Sequence, residues 1–295
     1  QTQNAIAHSD NIKLIKNELK KSEILGTTSD GKVIYLYKFT QDSLILNEIG
    51  RLREISFRKV NEGVNKKRDT DKYDKYYQHI ILWDDDALEI VGSYRIGNAK
   101  EIYEKYGFKG FYTNSLFRFQ DSFIPYLENS IELGRSFVQP KYWGSRALDY
   151  LWFGIGAYLK AHPEIKYMYG PVSLSGTLPP IAQDLIVGFY SHYFYPKEKL
   201  VKEVNKFQYN FEHEDEISIC SEQNFKDDLK LLKSSLKNID CCIPTLYKQY
   251  SDLCEDEGVE FHGFNIDSNF SNCVDGFIMV EIEKMKESKK SRYIK

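Results

Sequence analysis

Apolar residues recur at helical and strand spacing over much of this chain, and their pattern predicts most of its elements. Apolar positions three or four residues apart predict amphipathic helices over residues 9–22 and 43–60. Apolar runs predict strands over 33–39 and 130–138. Two further runs separated by three aspartates predict an antiparallel hairpin over 79–98, because aspartates favour a tight turn.

The same spacing predicts the remaining elements. The charge-dense stretch 62–77 has no apolar face and is interpreted as a loop. We expect a short helix in 114–128, a helix after the turn that follows residue 138, a strand in 164–176 and a proline-initiated helix over 178–194. The last third predicts a strand, two helices, two strands and a frayed basic tail, over 204–211, 222–238, 243–257, 259–266, 275–283 and 284–295. This order is typical of a mixed α/β fold, and no G-x-G-x-x-G follows a strand.

One apolar strand carries an acid and a base. Glu132 and Arg135 lie an odd number of positions apart, so a regular strand would place them on opposite faces. They can act together only if the strand bulges, and Gly134 is where a bulge would be tolerated. The N–H groups that open the following helix are a natural phosphate site. A surface salt bridge on an edge strand is an equally good interpretation of the spacing.

Five other residues could contribute to a site. Arg95 is a charge inside an apolar strand, so it must be paired or face a cleft. Asp71 and Asp74 lie in the polar loop, where solvated acids are common. Arg53 lies on a predicted helix, where an exposed face is its ordinary place, and His79 opens the hairpin, where a lone histidine is usually structural. Singly, none indicates a function.

Composition narrows the class of protein. Of the 295 residues, 42% are hydrophobic and 28% charged, as in an ordinary globular protein. The net charge of −3 argues against a nucleic-acid binder. No stretch reaches the roughly 18 to 20 apolar residues of a membrane span. The five cysteines form no C-x-x-C pair, so we expect a reduced cytoplasmic protein without a metal site. The chain starts with Gln1, which favours a piece of a longer protein.

Four motifs follow one another in order along the chain. They are an L-R-x-x-x-F-R helix at 52–58, a D-K-Y-D loop at 71–74, a V-G-S-Y-R-I strand at 91–96 and an E-L-G-R-S-F-V strand at 132–138. The series resembles the GNAT-like acyltransferases that include the acyl-homoserine-lactone synthases. The series resembles more closely the ornithine-lipid or "haemolysin-like" N-acyltransferases. The S-R-A-L-D-Y-L-W stretch and the segment 264–277 resemble the same group.

The resemblance, which covers roughly residues 33–295, implies a fold and a division of the chain. The fold would be GNAT-like α/β, a mixed sheet whose two central strands splay apart around an acyl thioester. We therefore expect an N-terminal helix and linker over 1–30 and an acyltransferase core over 31–205. Residues 206–295 would be the C-terminal part of the same unit. A glycerophosphate-type acyltransferase domain often precedes such units, which would fit a chain that starts at Gln1.

The resemblance also implies three catalytic residues. Glu132 matches the acid that acts as general base on an attacking amine. A base is needed because an α-ammonium with a pKa of about 8 is mostly protonated at neutral pH. Arg95 and Arg135 would orient Glu132 and bind a carboxylate or a donor phosphate, for which a guanidinium fork is well suited.

The acceptor implied by the resemblance is a small amino acid such as ornithine or glycine, and the product is a lyso-aminolipid. Asp71 and Asp74 would hold Arg53 and close a mobile loop over this acceptor, and His79 would complete the substrate site. The acyl chain would be long and 3-hydroxylated.

The donor loop departs from the family pattern. Acetyl-CoA-using members have an [RQ]-x-x-G-x-[GA] loop around a pyrophosphate, whereas residues 139–147 have one glycine and an arginine where a second would stand. That suits a single phosphate, so we expect acyl carrier protein rather than acyl-CoA as donor, and no tightly bound cofactor. The expected phosphate-binding residues are Lys141, Gly144, Ser145 and Arg146. The expected landing patch for the acidic carrier is Lys141, Arg146, Lys197 and Lys199.

Other functions stay open. A lysolipid O-acyltransferase usually carries an H-x4-D pair, and His79 with Asp84 matches it formally, although along a strand that runs into a turn. An acyl-CoA-dependent haemolysin-like N-acyltransferase and homoserine-lactone synthesis are further alternatives. A membrane-active protein has no span to support it, but peripheral contact with the inner membrane face through 9–22 or 284–295 is compatible with the sequence.

Overall fold

The computed structural model describes residues 4–210, 220, 224–255 and 257–295. The described residues form two compact units. The first unit contains those up to Phe111 together with Glu128–Lys166 and Glu287–Lys295. The second contains those of Tyr112–Leu127 and Tyr167–Lys286. The division predicted at residues 30 and 205 stays a prediction.

The described elements are named here in chain order. The strands are β1 (Glu23–Thr27), β2 (Val33–Lys38), β3 (Gln78–Asp84), β4 (Glu89–Asn98), β5 (Phe117–Phe119), β6 (Ser130–Val138), β7 (Tyr167–Leu174), β8 (Val201–Glu203), β9 (Val259–Asp267) and β10 (Cys273–Glu281). The α-helices are α1 (Ile12–Leu19), α2 (Leu44–Lys59), α3 (Ala99–Tyr106), α4 (Ala147–Ala161), α5 (Pro180–Tyr193), α6 (Phe225–Lys237), α7 (Thr245–Ser251) and α8 (Glu287–Tyr293). Two 3-10 segments, Lys72–Lys75 and Asp121–Asn129, also matter below.

The sheet of the first unit has the strand order β1, β2, β3, β4, β6, and neighbouring strands are antiparallel. The apolar run of β3 is buried on both faces because helices cover both. Ile81 and Trp83 pack with Ile45 of α2 on one face. On the other, Ile80 lies against Gly154 of α4, where an added Cβ would be 2.6 Å from its side chain. The predicted strands 33–39 and 130–138 and the hairpin 79–98 are confirmed.

Local signals in the sequence account for two of these elements. Ser43 caps α2, since its side chain accepts a hydrogen bond from the N–H of Leu46 at 3.1 Å. The carboxylate of Asp84 accepts hydrogen bonds from the N–H groups of Asp86 (3.1 Å) and Ala87 (2.9 Å), which fixes the hairpin turn. The three aspartates therefore build a turn, and the predicted helix 43–60 is confirmed as α2.

The second unit is built on antiparallel strands in the order β7, β10, β9, with β5 and β8 as a separate antiparallel pair. Aromatic rings fill its interior: Tyr169 stacks on Phe277 at 5.7 Å between ring centroids, and Phe123 meets both edge-on. Tyr247 of α7 donates a hydrogen bond to the carbonyl of Val172 at 3.0 Å, which ties this helix to β7.

The prediction of a frayed basic tail is wrong. Residues Glu287–Tyr293 form α8, which packs on α4 in the first unit. The backbone of Tyr293 passes directly over Gly156, where a Cβ would collide with it. Arg292 reaches Asp149 at 2.6 Å, and the Tyr293 hydroxyl donates to the same carboxylate at 2.9 Å. Burial alone would raise the pKa of Asp149, but these donors hold it below its usual range.

Other sequence-based assignments need correction. Residues 204–210 form no strand apart from an isolated bridge at Lys206, and Phe211 lies outside the described residues. The helix predicted over 243–257 ends at Ser251, and the one predicted over 222–238 is described from Phe225. Residues 114–128 contain β5 and a 3-10 segment instead of an α-helix, and β1 and α3 were not predicted. Among the described residues, none of the helices has the length and hydropathy to cross a bilayer.

Candidate active site

A bulge in β6 brings its acid and its base to the same network. Arg95 of β4 pairs with Gly134, and Ser93 pairs with Phe137, so Arg135 and the residue after it oppose a single residue of β4. Arg135 itself has a φ of +47°, in the left-handed region. The predicted bulge is therefore present, one residue beyond Gly134. The bulge turns Arg135 toward the side of the strand that Arg95 occupies. This is seen from the carboxylate of Asp71, which lies 2.8 Å from the guanidinium of Arg95 and 3.9 Å from that of Arg135.

Asp74 is the centre of a buried ionic network. Its Oδ1 accepts hydrogen bonds from Nη1 of Arg53 at 2.8 Å and from Nη1 of Arg95 at 3.0 Å. Its Oδ2 accepts the N–H of Asp71 at 2.8 Å. Burial alone would raise the pKa of Asp74, but the two guanidinium groups hold it well below its usual range. Burial likewise opposes the charge of Arg95, yet its carboxylate partners raise its pKa well above the usual value.

Two acids of the loop before the 3-10 turn, Asp71 and Asp69, form ion pairs with Arg95 and Arg135, respectively. Asp71 binds Arg95 at 2.8 Å and lies 3.9 Å from Arg135, so the expectation that it holds Arg53 is wrong. It also caps the turn, since its carboxylate accepts the N–H groups of Tyr73 and Asp74. Sequence reasoning missed Asp69, which binds Arg135 at 3.2 Å. The D-T-D spacing of this loop was the available signal.

His79 is buried within this network. Its Nδ1 lies 3.4 Å from Nη2 of Arg53, and its Nε2 lies 3.1 Å from the backbone carbonyl of Asp74. A guanidinium can only donate, so Nδ1 accepts and Nε2–H donates to the carbonyl. Burial lowers the pKa of His79 to about 4, so the ring is neutral at pH 7. Arg53, Asp74 and His79 are all fully buried, so none of the three lies at an open surface.

The neutral His79 should make stability fall as the pH drops from about 6.5 to 4. Its pKa is about 4 in the folded protein and about 6.5 in the unfolded chain, so within this window only the unfolded chain gains a proton. This part of the stability is fully present above pH 6.5, and roughly 3 kcal/mol of it is lost by pH 4. Urea unfolding at several pH values measures it. The His79→Gln protein should lose this part of the pH dependence, and a variant at the exposed His162 should keep it. Equal slopes for all three proteins would contradict the assignment.

Glu132 is placed by β6 but held by a residue that sequence reasoning missed. Its carboxylate is 1% exposed, and Oε2 accepts a hydrogen bond from the hydroxyl of Tyr77 at 2.8 Å. The Tyr77 ring lies 5.1 Å below the guanidinium carbon of Arg95. Tyr77 had no signal in the sequence, because a tyrosine at the end of a loop is unremarkable until its partner is known. Glu132, Arg95 and Arg135 thus belong to one connected site.

The loop predicted to hold the donor phosphate starts α4. Gly144 has a φ of +79°, and the hydroxyl of Ser145 donates to the carbonyl of Tyr142 at 2.6 Å while accepting the N–H of Ala147 at 3.2 Å. The Ser145 side chain is therefore already engaged in hydrogen bonds within this turn. Gly144 supplies the left-handed backbone that the turn into the helix requires.

The four lysines and arginines proposed as a basic patch all contact carboxylates. In the first unit, Lys141 binds Glu89 at 2.5 Å and Arg146 lies 3.4 Å from Asp149, and both cationic side chains are 56% exposed. In the second unit, Lys197 binds Glu257 at 2.6 Å and Lys199 binds Glu203 at 3.1 Å. All four cationic side chains are more than half exposed, so they remain accessible to an anionic partner that competes with the carboxylates.

Comparison with known proteins adds independent information. An acetyltransferase (GNAT) domain model matches residues 52–153. A glycine N(alpha)-acyltransferase of Bacteroides thetaiotaomicron is 30% identical over 301 residues, which cover 96% of this chain and 89% of that protein. An L-ornithine N(alpha)-acyltransferase of Brucella abortus is 31% identical over 144 residues, 47% of this chain and 50% of that protein. Among solved structures, that of the AHL synthase LasI aligns with 91% of this chain and 95% of its own, at 12% identity and a TM-score of 0.42.

Proposed function

The chain belongs to the GNAT family of acyltransferases, together with glycine and ornithine N(alpha)-acyltransferases. On this basis we propose that it moves a long 3-hydroxyacyl chain from acyl carrier protein to the α-amine of glycine. Ornithine is the second candidate acceptor. That it is an acyltransferase follows from its family and its relatives. The acceptor, the donor and the acyl chain are the proposed parts.

One observation carries the mechanism: a buried carboxylate, Glu132, lies beside a bulge in β6 and within a network of fixed charges. In the proposed reaction this carboxylate removes a proton from the acceptor's ammonium group. The free amine attacks the thioester carbonyl, a C–N bond forms, and the C–S bond breaks. The nitrogen gives up a second proton as the amide forms. The thiolate takes one of the two protons and the other passes to solvent, so that an amide and a thiol leave the site and the Glu132 carboxylate is restored. Arg95, bound by Asp71, and Arg135, bound by Asp69, would orient this carboxylate and bind a carboxylate or phosphate of the substrates.

Glycine is the preferred acceptor because of how much of this chain each relative matches. The glycine N(alpha)-acyltransferase matches 96% of this chain, whereas the L-ornithine N(alpha)-acyltransferase matches 47% of it. The acceptor is therefore proposed from the relative that matches more of this chain.

The donor is inferred from the loop before α4. This loop has a single glycine, Gly144, and the hydroxyl of Ser145 is already hydrogen-bonded to the backbone of Tyr142 and Ala147. Such a loop has less free backbone for a pyrophosphate than a glycine-rich one. Lys141 and Arg146 stand exposed on either side and suit a single phosphate, as on the phosphopantetheine of acyl carrier protein.

The test is a mass-spectrometric assay of products. Purified protein is incubated with a 3-hydroxyacyl carrier protein or the matching acyl-CoA, each with glycine, with ornithine or with a lysophospholipid. The Glu132→Gln protein measures background transfer. We expect N-(3-hydroxyacyl)glycine as the main product, formed faster from the carrier-protein thioester.

Each other result would change a defined part of the proposal. Equal rates from acyl-CoA would remove acyl carrier protein as the preferred donor, and acyl-ornithine as main product would replace glycine. An ester on the lysophospholipid, with no amide, would overturn N-acyl transfer. N-acyl transfer would also be overturned if the thioester stayed intact in every reaction while circular dichroism showed that the protein is folded.

A further inference from the structure

Tyr77 lies buried between the ionic network and the acid of β6. Its side chain is 2% exposed, and its hydroxyl is 2.8 Å from Oε2 of Glu132. Its backbone N–H donates to the carbonyl of Tyr73 at 3.0 Å, which fixes the point from which the side chain departs. The rings of Tyr73 and Tyr76 pack against it at 6.2 and 5.5 Å between centroids. The phenol is therefore held in place from several sides.

The strand pairing leaves a space for this ring. Gly97 of β4 is the partner of Glu132 in the β4–β6 register. A Cβ at Gly97 would lie 2.6 Å from the Tyr77 ring and 2.7 Å from Ile102. Only a glycine leaves room for an aromatic ring directly beside the carboxylate, so this register sets the position of the Tyr77 hydroxyl as well as that of Glu132.

Arg95 holds the other side of the same ring. Its guanidinium carbon lies 5.1 Å from the centre of the Tyr77 ring, and Asp71 and Asp74 fix the guanidinium in turn. The contacts thus run from Asp74 through Arg95 and Tyr77 to Glu132. A ring held by a cation on one side and by packing on the other has little freedom to rotate away from the acid.

From these contacts we propose that Tyr77 is a positioning residue for the general base: its hydroxyl fixes the orientation of the Glu132 carboxylate and favours its charged form. The inference rests on the proposed function, in which Glu132 takes the proton from the acceptor amine. A hydrogen bond donated to a buried carboxylate offsets the cost of burying its charge.

The fall of kcat at low pH, which is the acid limb of the pH profile, depends on this hydrogen bond. Among the titratable and charged groups that face Tyr77 and Glu132 are Arg95 on β4 and three residues around the 3-10 turn: Asp71 before it, Tyr73 in it and Tyr76 just after it. None of these is changed when only the Tyr77 hydroxyl is removed. Loss of a donor to the charged form raises the pKa of a carboxyl, so the base stays protonated up to a higher pH.

The experiment compares Tyr77→Phe with Tyr76→Phe. The control removes a phenol from the same turn, but the Tyr76 hydroxyl donates to the backbone carbonyl of Gly110 at 2.7 Å. We expect Tyr77→Phe to lower kcat for amide formation roughly tenfold to hundredfold, the usual weight of a hydrogen bond to a charged group, with KM for the acceptor unchanged. The acid limb of its kcat profile should move up by about one pH unit. Tyr76→Phe should keep the wild-type profile.

Three results would decide against the proposal. Tyr77→Phe with wild-type kcat and profile would show that the hydroxyl does not act on the base. A uniform loss at all pH values would show a structural role, as would an equal loss in Tyr76→Phe. The proposed function is tested separately by Glu132→Gln: if that variant is inactive while Tyr77→Phe behaves as wild type, only the positioning role falls. If Glu132→Gln is fully active, Glu132 is not the base, and the mechanism on which this inference rests falls.

Discussion

The Glu132→Gln substitution is expected to lower kcat for amide formation by roughly 10² to 10⁴, the range that a positioned general base contributes. Glutamine has the same shape as glutamate and its carbonyl can still accept the hydrogen bond from Tyr77, which lies 2.8 Å from Oε2. It cannot accept a proton. The defect should therefore appear in kcat, with KM for the acceptor little changed. Initial rates of thiol release with glycine and a 3-hydroxyacyl donor, confirmed by mass spectrometry of the amide, measure it.

A pH series makes this experiment sharper. As the pH rises past the pKa of the acceptor's ammonium group, more acceptor arrives already deprotonated, and the ratio of wild-type to variant rate should shrink. Glu128→Gln is the matched control, because Glu128 closely precedes β6 and forms an exposed ion pair with Lys100. It should retain the wild-type rate. A Glu132→Gln rate within about threefold of wild type at pH 7 would exclude Glu132 as the base.

Elements specified by local signals could be predicted from the sequence. The hairpin of β3 and β4 is an example, because Asp84 binds N–H groups two and three residues further on and needs nothing distant. The helix α2 is another, since its cap and its apolar stripe lie within one segment. In both cases the residues that determine the element are the residues of the element itself.

Elements that depend on distant partners could not be predicted. The basic tail looked solvated because lysines and arginines usually are, and its partner, Asp149, lies 143 residues before Arg292. Only the packing of Tyr293 on Gly156 turns this segment into a helix with a buried side. The charge pattern of the tail carried no information about where it docks.

In the candidate site, too, partners that are distant in the sequence could not be predicted. The rule that a charge inside an apolar strand must be paired correctly indicated that Arg95 has partners. It could not say that one of them is Asp71 and that the ring of Tyr77 is another, because both depend on how the loop before β3 folds over β4. Asp69 and Tyr77 were missed for this reason. Their roles exist only in the register that pairs Arg95 with Gly134.

The largest effect on stability is expected for Asp74→Asn, which should lower the free energy of unfolding by about 3 to 5 kcal/mol. The variant keeps the shape of the side chain but removes the charge that faces Arg53 and Arg95, and all three side chains are at most 1% exposed. Two buried guanidinium groups would then lose a carboxylate partner. Urea unfolding at pH 7 measures the change. Asp86→Asn, in the exposed hairpin turn, is the control and should stay within about 0.5 kcal/mol of wild type.

A double substitution separates the cost of the unpaired charges from a general loss of packing. Arg95 keeps Asp71 at 2.8 Å when Asp74 is neutral, so Arg53 is the cation left without a carboxylate. Removing that cation as well, in Arg53→Met with Asp74→Asn, should therefore cost less than the sum of the two single changes, with a coupling of about 1 to 3 kcal/mol. Strict additivity would mean that the pair contributes through shape alone. It would also mean that the charge of Asp74 is not what holds the loop against β4.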